Sequence, residues 1–410
     1  MTVTITHDDV ADLCTGSVFL ATGGGGDPYI SQILVQEALK KYGPVDLLPL
    51  SAVPDDALVV TIGEVGAPSV SLEQLPIGTE CLDVIDRFED WVGRKITHIV
   101  SFEVGGANSV IPLIAAAAKG IPMIDGDGMA RALPEAQMMT FAIEGIRPSP
   151  ALAVDYTGGC VYFDVDDAVL YERQVRNLAM AMGGMVFTAE HPMTAEEARR
   201  AIIPGTISFA LELGRLLRKH FGSAALVEEP LKALFACSDY GVLKHLYTGK
   251  IVDINRKTVG GFDVGEAVLE STIGDEPPMR LVIKNEFLVA ELGDRVVASV
   301  PDLITMVDHE TSSPINSERV HYGQRVTVFG IGCPPHYRTR RALEVVAPRA
   351  FGFDFDYVPI EKLSVARRAA GKTHCLPATK ITRCHTATDI TFCCVDKASV
   401  SEYSLLHQYP

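Results

Sequence analysis

The sequence predicts two parts: an N-terminal α/β domain with a mostly parallel sheet, and a C-terminal α+β domain rich in antiparallel β structure. Three observations carry that prediction. Strands alternate with helices through the first 145 or so residues, the pattern of a parallel sheet covered on both faces. From about 244 to 331 the segments are short, rich in Val and Ile, and broken by Gly, Asp and Asn, as in antiparallel β structure. At 410 residues the chain also exceeds the roughly 250–300 at which a single core stops growing.

In chain order, HDDVADLCTGSVFLA (7–21) reads as a helix with acids in its first turn, where the dipole favours them. It stops at Gly23 to Gly26. Asp27 then stands at an N-cap and Pro28 at a first helical position, opening a helix to about Tyr42. VDLLPL (45–50) and ALVVTIG (57–63) read as buried strands, followed by a helix over 78–92, a strand over 96–104, a helix over 108–120 and a strand over 121–125. PEAQMMTFAIEG (134–145) is expected to be a further helix. Residues 151–165 suggest a hairpin around Gly158-Gly159. Helices are expected at 167–182, at 195–203 behind a Thr194–Glu197 capping box, and from Gly205 to about Phe221. The expected divisions are 1–165, 166–365 and a peripheral tail, 366–410.

Composition excludes several function classes. Against 36 Lys+Arg stand 52 Asp+Glu, a formal net charge of −16, and no basic stripe interleaves with aromatics, so nucleic acid is not an expected partner. No apolar run approaches the roughly 18–20 residues of a membrane helix, and MTVTITHDD has neither a basic n-region nor an apolar h-region. Nine scattered cysteines, an odd number, suit reduced thiols in the cytoplasm better than a disulfide framework. A homo-oligomer is the expected assembly.

Three loops could carry chemistry. In ATGGGGDP (21–28), Gly23, Gly24, Gly25 and Gly26 free the backbone for left-handed conformations. With Asp27 and the helix start behind them, they could cradle a carboxylate or an oxyanion. The spacing is neither a dinucleotide fingerprint nor a P-loop. A plain tight turn is the alternative, but one glycine would suffice for that.

FEVGGANS (102–109) leaves the end of a strand, where open parallel sheets bind ligands. It offers Glu103, close approach at Gly105 and Gly106, and the Asn108 amide. IDGDGMARALPE (124–135) follows the next strand with Asp125, Asp127, Arg131 and Glu135. One carboxylate could activate water while a neighbour holds a proton, or the acids could hold a divalent cation. GEVGAPSVSLE (63–73) also leaves a strand, and its Glu64 and Glu73 could line the same cleft, although a plain loop is the favoured reading. No H-E-x-x-H, H-x-H or C-x-x-C occurs. Cys375, Cys384, His385, Cys393 and Cys394 match no zinc finger or ribbon spacing. Whether a metal takes part stays open.

TGGGGDP, FEVGGANS and DGDGMARALPEAQM, in that order, resemble the S-methyl thiohydantoin desulfurase family. VPDLITMVD (300–308), YGQRVTV (322–328) and APRAFGFDFDYVPI (347–360) resemble its second domain. The resemblance spans residues 7–362; the tail has no counterpart in it. It implies a hydrolase acting on a small cyclic amide-type substrate: water replaces the sulfur substituent of an S-methylthiohydantoin, giving a hydantoin and methanethiol. On that reading Asp125 or Asp127 is the base, with Glu103 or Glu135 as partner acid. The glycine run and Arg131 hold a substrate carbonyl or carboxylate. The competing readings are a metal-dependent hydantoinase-like amidohydrolase or hydantoinase-associated subunit, and a non-catalytic small-molecule binder.

Overall fold

The computed structural model describes residues 2–67 and 76–364. Glu73 and the Cys/His-bearing tail lie outside the described residues. The first part contains β1 (Val3–Ile5), α1 (Val10–Leu20), α2 (Pro28–Tyr42), β2 (Val45–Leu48), β3 (Leu58–Gly66), α3 (Glu80–Val92), β4 (His98–Ser101), α4 (Pro112–Lys119) and β5 (Met123–Asp127). Then come α5 (Thr140–Ile143), β6 (Ala151–Val154), β7 (Cys160–Phe163), α6 (Ala168–Ala181), β8 (Met185–Thr194), α7 (Ala195–Ala201), β9 (Ile203–Pro204), α8 (Thr206–Lys219) and α9 (Ala224–Ala236). A run of strands follows: β10 (Leu243–Val259), β11 (Phe262–Ser271), β12 (Met279–Lys284), β13 (Glu286–Leu292), β14 (Arg295–Ser299), β15 (Leu303–Asp308) and β16 (Arg325–Ile331). Helix α10 (Arg340–Val346) comes last.

Strands β2, β5, β4 and β3 are parallel neighbours, and β1, β8, β6 and β7 extend them antiparallel, in the order β1-β2-β5-β4-β3-β8-β6-β7 with β9 beside β5. The first six residues of β3 are buried without alternation, as a strand covered on both faces requires. The second sheet is wholly antiparallel, ordered β14-β13-β12-β11-β10-β16-β15. The first sheet takes in β8 and β9, which follow residue 165 in sequence, so the two parts share chain across that point. One apolar core runs from Ile5 and Phe19 through Phe235 to Phe329, where the sheets meet; a second, including Tyr247, Leu281 and Val328, lies in the antiparallel part.

Most elements follow their local signals. Asp27 caps α2 by accepting from the Tyr29 N–H at 2.8 Å, and Thr194 with Glu197 forms the capping box of α7. The expected helix over 134–145 is instead a 3-10 turn at Ala136–Met138 followed by the single turn of α5. Tertiary partners compete for its backbone. The Ala136 N–H goes to Glu172, the Thr140 N–H to the Gly128 carbonyl, and the Met138 carbonyl accepts from the Tyr337 hydroxyl. Strand β8 and helix α9 fall in stretches left without an assignment.

Helices α1 and α8 cross in near backbone contact. A Cβ at Gly16 would overlap the Ala210 carbonyl, and one at Gly214 the Asp12 carbonyl. Arg218 pairs with Asp12 at 2.7 Å beside that crossing. Gly214→Ala should therefore lower stability by about 1–3 kcal/mol through overpacking, despite the roughly 1 kcal/mol by which alanine ordinarily favours a helix interior. Denaturant midpoints at constant slope measure it; an unchanged or raised midpoint would show that the crossing has slack.

Candidate functional site

The carboxyl ends of β3, β4 and β5 lie side by side, and the segments there face the same cleft. Glu64 sits near the end of β3, Glu103 just after β4, and Met129 to Glu135 beyond β5. The glycine run closes the cleft from another side. Gly25 presses on Gly105: a Cβ at Gly25 would overlap the Gly105 Cα, and one at Gly106 the Gly26 carbonyl oxygen. The Ala107 N–H donates to the Gly25 carbonyl at 2.8 Å. The Phe287 N–H on β13 reaches the Thr22 carbonyl at 2.7 Å, and the Ser317 N–H, in the turn between β15 and β16, reaches the Gly23 carbonyl at 2.8 Å. A Cβ at Gly24 would strike the Glu286 carboxyl. Thr22, at φ 54°, Gly23, Gly25 and Gly26 all take left-handed backbone.

The cleft encloses about 670 Å³, part of it open to solvent. Six glutamates line it, Glu64, Glu103, Glu135, Glu172, Glu190 and Glu286, with Arg176 as the one cation among the described lining residues. Arg176 is already committed. It pairs with Glu172 at 2.8 Å, donates to the carbonyls of Gly66 and Pro134, and lies over the Phe262 ring. Glu135 pairs with Lys284. Glu190 accepts from the Tyr171 hydroxyl and contacts His191 Nδ1 at 3.2 Å.

Among the described residues, the remaining three carboxyls have no cation in contact. Burial pushes Glu103 up to about 7, against the hydrogen bonds from Asn108 and the Leu133 N–H, and with Asp127 adding to the rise. Burial raises Glu64 to about 8, helped by Glu80. Burial, then the Glu103 charge, raises Glu286 well above the usual carboxylate range, and the Arg131 and Lys284 charges offset only part. Glu286 Oε2 has no hydrogen-bond partner. Asn108 holds the group together, donating from Nδ2 to Glu103 at 2.8 Å while its Oδ1 accepts the Glu64 N–H at 2.8 Å.

Of the residues expected from sequence, Gly25, Gly26, Glu103, Asn108 and Glu135 line the cleft. The others serve it from behind. Asp127 is fully buried, and its Oδ2 accepts the N–H groups of Val104, Met129 and Ala130, fixing both acidic loops to each other. The base role expected of Asp125 gives way to a capping one: its carboxylate accepts the Ser208 N–H at the start of α8. Arg131, expected to hold a substrate group, has its donors taken by the protein itself. It is fully buried, donating to the Ala132, Pro301 and Asp302 carbonyls and to the Thr22 hydroxyl. Asp27 caps α2 and pairs with Arg319 at 2.5 Å, while Gly23, Gly24, Gly105 and Gly106 supply close approach.

Glu64 corrects the plain-loop reading of its segment. Glu172, Glu190 and Glu286 were not anticipated. The only signal for Glu286 was an acid opening the apolar run EFLVA, just after Asn285, which takes left-handed backbone at φ 59°.

Among the described residues no three His, Cys, Asp or Glu side chains gather as a metal-holding group, no disulfide forms, and no helix is long and apolar enough to cross a membrane.

Comparison with known proteins places the chain. The family model described as S-Me-THD-like, N-terminal domain matches residues 8–165, and the S-Me-THD-like, C-terminal domain matches 165–360. The chain belongs to this family, the one its motifs resemble. A crystal structure of a protein from Chromobacterium violaceum, a structural-genomics target, is 24% identical with a TM-score of 0.72, over 87% of this chain and all of that one; it shares the fold. No curated protein matches the chain.

Glu103 makes a test of this electrostatic frame. Its folded pKa of about 7 exceeds its ordinary value of 4.5, so the folded state holds more protons between those pH values. The contribution is present below about 4.5 and is lost as pH rises through about 7. Glu103→Gln should gain stability relative to the native chain across that window, on the order of 1–3 kcal/mol. Urea unfolding of both proteins from pH 4.5 to 8 reads the difference; a constant offset would place Glu103 in a solvated setting.

Proposed function

We propose that this member of the S-Me-THD-like family is a hydrolase that removes the sulfur substituent of an S-methylthiohydantoin with water, yielding a hydantoin and methanethiol. The observation that carries this reading is the pairing of Glu103 with Glu286 in one cleft, two buried carboxyls raised by different amounts. Near neutral pH one can be ionised while the other keeps its proton, which is how two acids divide base and acid duties. The family assignment supports the substrate class; the carboxyl pair supports the chemistry.

The steps balance on these two groups. Glu103 as carboxylate takes a proton from water as its oxygen bonds to ring carbon C2. Glu286 gives its proton to the adjacent ring nitrogen. In the second step the Glu286 carboxylate takes the new hydroxyl's proton as the C2 carbonyl forms. The C2–S bond breaks, and methanethiolate leaves with the proton returned by Glu103. Asn108 acts as a positioning residue, because it fixes the Glu103 carboxylate at 2.8 Å and the end of β3 at once. Asp127 acts the same way through three backbone N–H groups.

The cysteines among the described residues, Cys14, Cys81, Cys160, Cys237 and Cys333, are free, which supports work in a reducing, cytoplasmic compartment.

Incubation with S-methylthiohydantoins, with thiol release followed by a colorimetric thiol reagent, is expected to show turnover. Glu103→Gln should lower kcat/KM by about 10²–10⁴-fold. Native activity should fall on the acid side of about 7, where Glu103 takes up its proton. Ligand-dependent thermal stabilisation without thiol release would instead identify a binding protein, and loss of turnover with a chelator a metal-dependent one.

A further inference from the structure

The cleft's charge balance says more about its ligand than the ring chemistry does. Glu172 and Glu135 have cationic partners, and Glu190 has the Tyr171 hydroxyl and His191. Glu64, Glu103 and Glu286 line the same space with no cation in contact among the described residues, and Arg176 has its donors spent on Glu172 and on backbone carbonyls. Glu286 is 2% exposed, and its Oε2 is left without a partner. A buried acceptor with no donor costs free energy unless something brings one, and a buried carboxyl in that position either keeps its proton or meets a cation.

Resting on the ring reading above, we infer that the cleft selects substrates whose ring substituent carries a positive charge, an ammonium or guanidinium group, and rejects those carrying a carboxylate. Glu64 supplies the counter-charge, the unpartnered Glu286 Oε2 accepts a hydrogen bond from the cation, and Glu286 keeps its proton, with Glu103, for the ring. The groups facing Glu286 are Glu103, Arg131 and Lys284, and Glu80 faces Glu64. Arg131 and Lys284 are held elsewhere, by backbone carbonyls and by Glu135. An arriving ammonium therefore adds the missing counter-charge, stabilises the ionised form of Glu64 and drives its proton off. An arriving carboxylate adds like charge to a cleft that already holds six glutamates.

Hydantoins that cannot turn over test this by binding alone. Three 5-substituted hydantoins, with 4-aminobutyl, isobutyl and 2-carboxyethyl chains, are titrated calorimetrically at pH 7 in two buffers of different ionisation enthalpy. The aminobutyl compound should bind at least tenfold more tightly than the isobutyl one and release protons. The carboxyethyl compound should bind at least tenfold more weakly than the isobutyl one. In Glu64→Gln the aminobutyl advantage should shrink while isobutyl binding persists, which also shows that the variant is folded. Equal affinities for the three charges would overturn the inference, whether or not thiohydantoins are turned over.

Butylammonium and butyrate, which lack the ring, separate the two readings. If no hydantoin binds but butylammonium raises the melting temperature and butyrate does not, the ring assignment fails and the charge selection stands. Stabilisation by Mg²⁺ or Ca²⁺ alone, with none by butylammonium, would make this an inorganic cation site and overturn the proposal.

Discussion

The site depends on backbone meeting backbone where no side chain intervenes. Gly25 lies against Gly105, Gly26 against Gly106, and Gly24 against the carboxyl of Glu286, each at a separation a single Cβ would abolish. That contact brings the 102–109 loop of the parallel sheet and the first residue of β13 to the same few ångströms of space. Neither sheet could place acids on both sides of a cleft alone. The run of glycines is therefore less a flexible loop than a spacer of minimum thickness. Its conformation is fixed by carbonyls given away at Thr22, Gly23, Gly25 and Gly26 to N–H donors on both sides.

Around this spacer the protein buries polar groups in a graded way. Arg131 and Asp127 lie deepest, and both spend themselves on the main chain. Arg131 binds three carbonyls and a hydroxyl, and Asp127 binds three N–H groups through one oxygen. Each ties distant segments together, since Arg131 joins the 130s to Pro301 and Asp302, and Asp127 joins two adjacent strand ends. Glu103 and Glu286 are almost as buried, and among the described residues Glu286 Oε2, like Asp127 Oδ1, has no partner. Stability would be better served by apolar residues there. Burial without full pairing raises a carboxyl's proton affinity toward neutral pH, and that is useful mainly to a group that must exchange protons or receive a charge.

Much of the architecture was legible because its signals are local. Asp27-Pro28 and Thr194–Glu197 start helices by capping chemistry, and the apolar run of β3 announces a strand covered on both faces. Residues 134–145 defeated the same logic. Their helical spacing is real, but Glu172, Gly128 and Tyr337 claim the backbone groups a helix would use. Within the site, position after a strand end identified Glu103 and Asn108, but could not rank the two aspartates of D-G-D-G. Two residues apart on a regular strand they would share a face, but β5 is irregular against β4 there, and Asp125 meets α8 while Asp127 meets the 104 loop. Glu172, Glu190 and Glu286 come from elements remote in sequence. Nothing local in the chain says that they share a cleft with Glu103.

That remoteness bears on how the cleft works. A general base and its partner acid on one loop would move together, and their separation would be set by that loop alone. Here Glu103 is anchored to the parallel sheet through Asn108 and the Leu133 N–H, and Glu286 begins a strand of the antiparallel sheet. The distance between them is set by how the two sheets seat on the glycine run. Any ligand spanning both carboxyls thus reads the seating of one sheet on the other. Substitutions that thicken the spacer should disturb the balance of protons between Glu103 and Glu286 before they disturb either sheet, because the charge of each depends on how near the other stands.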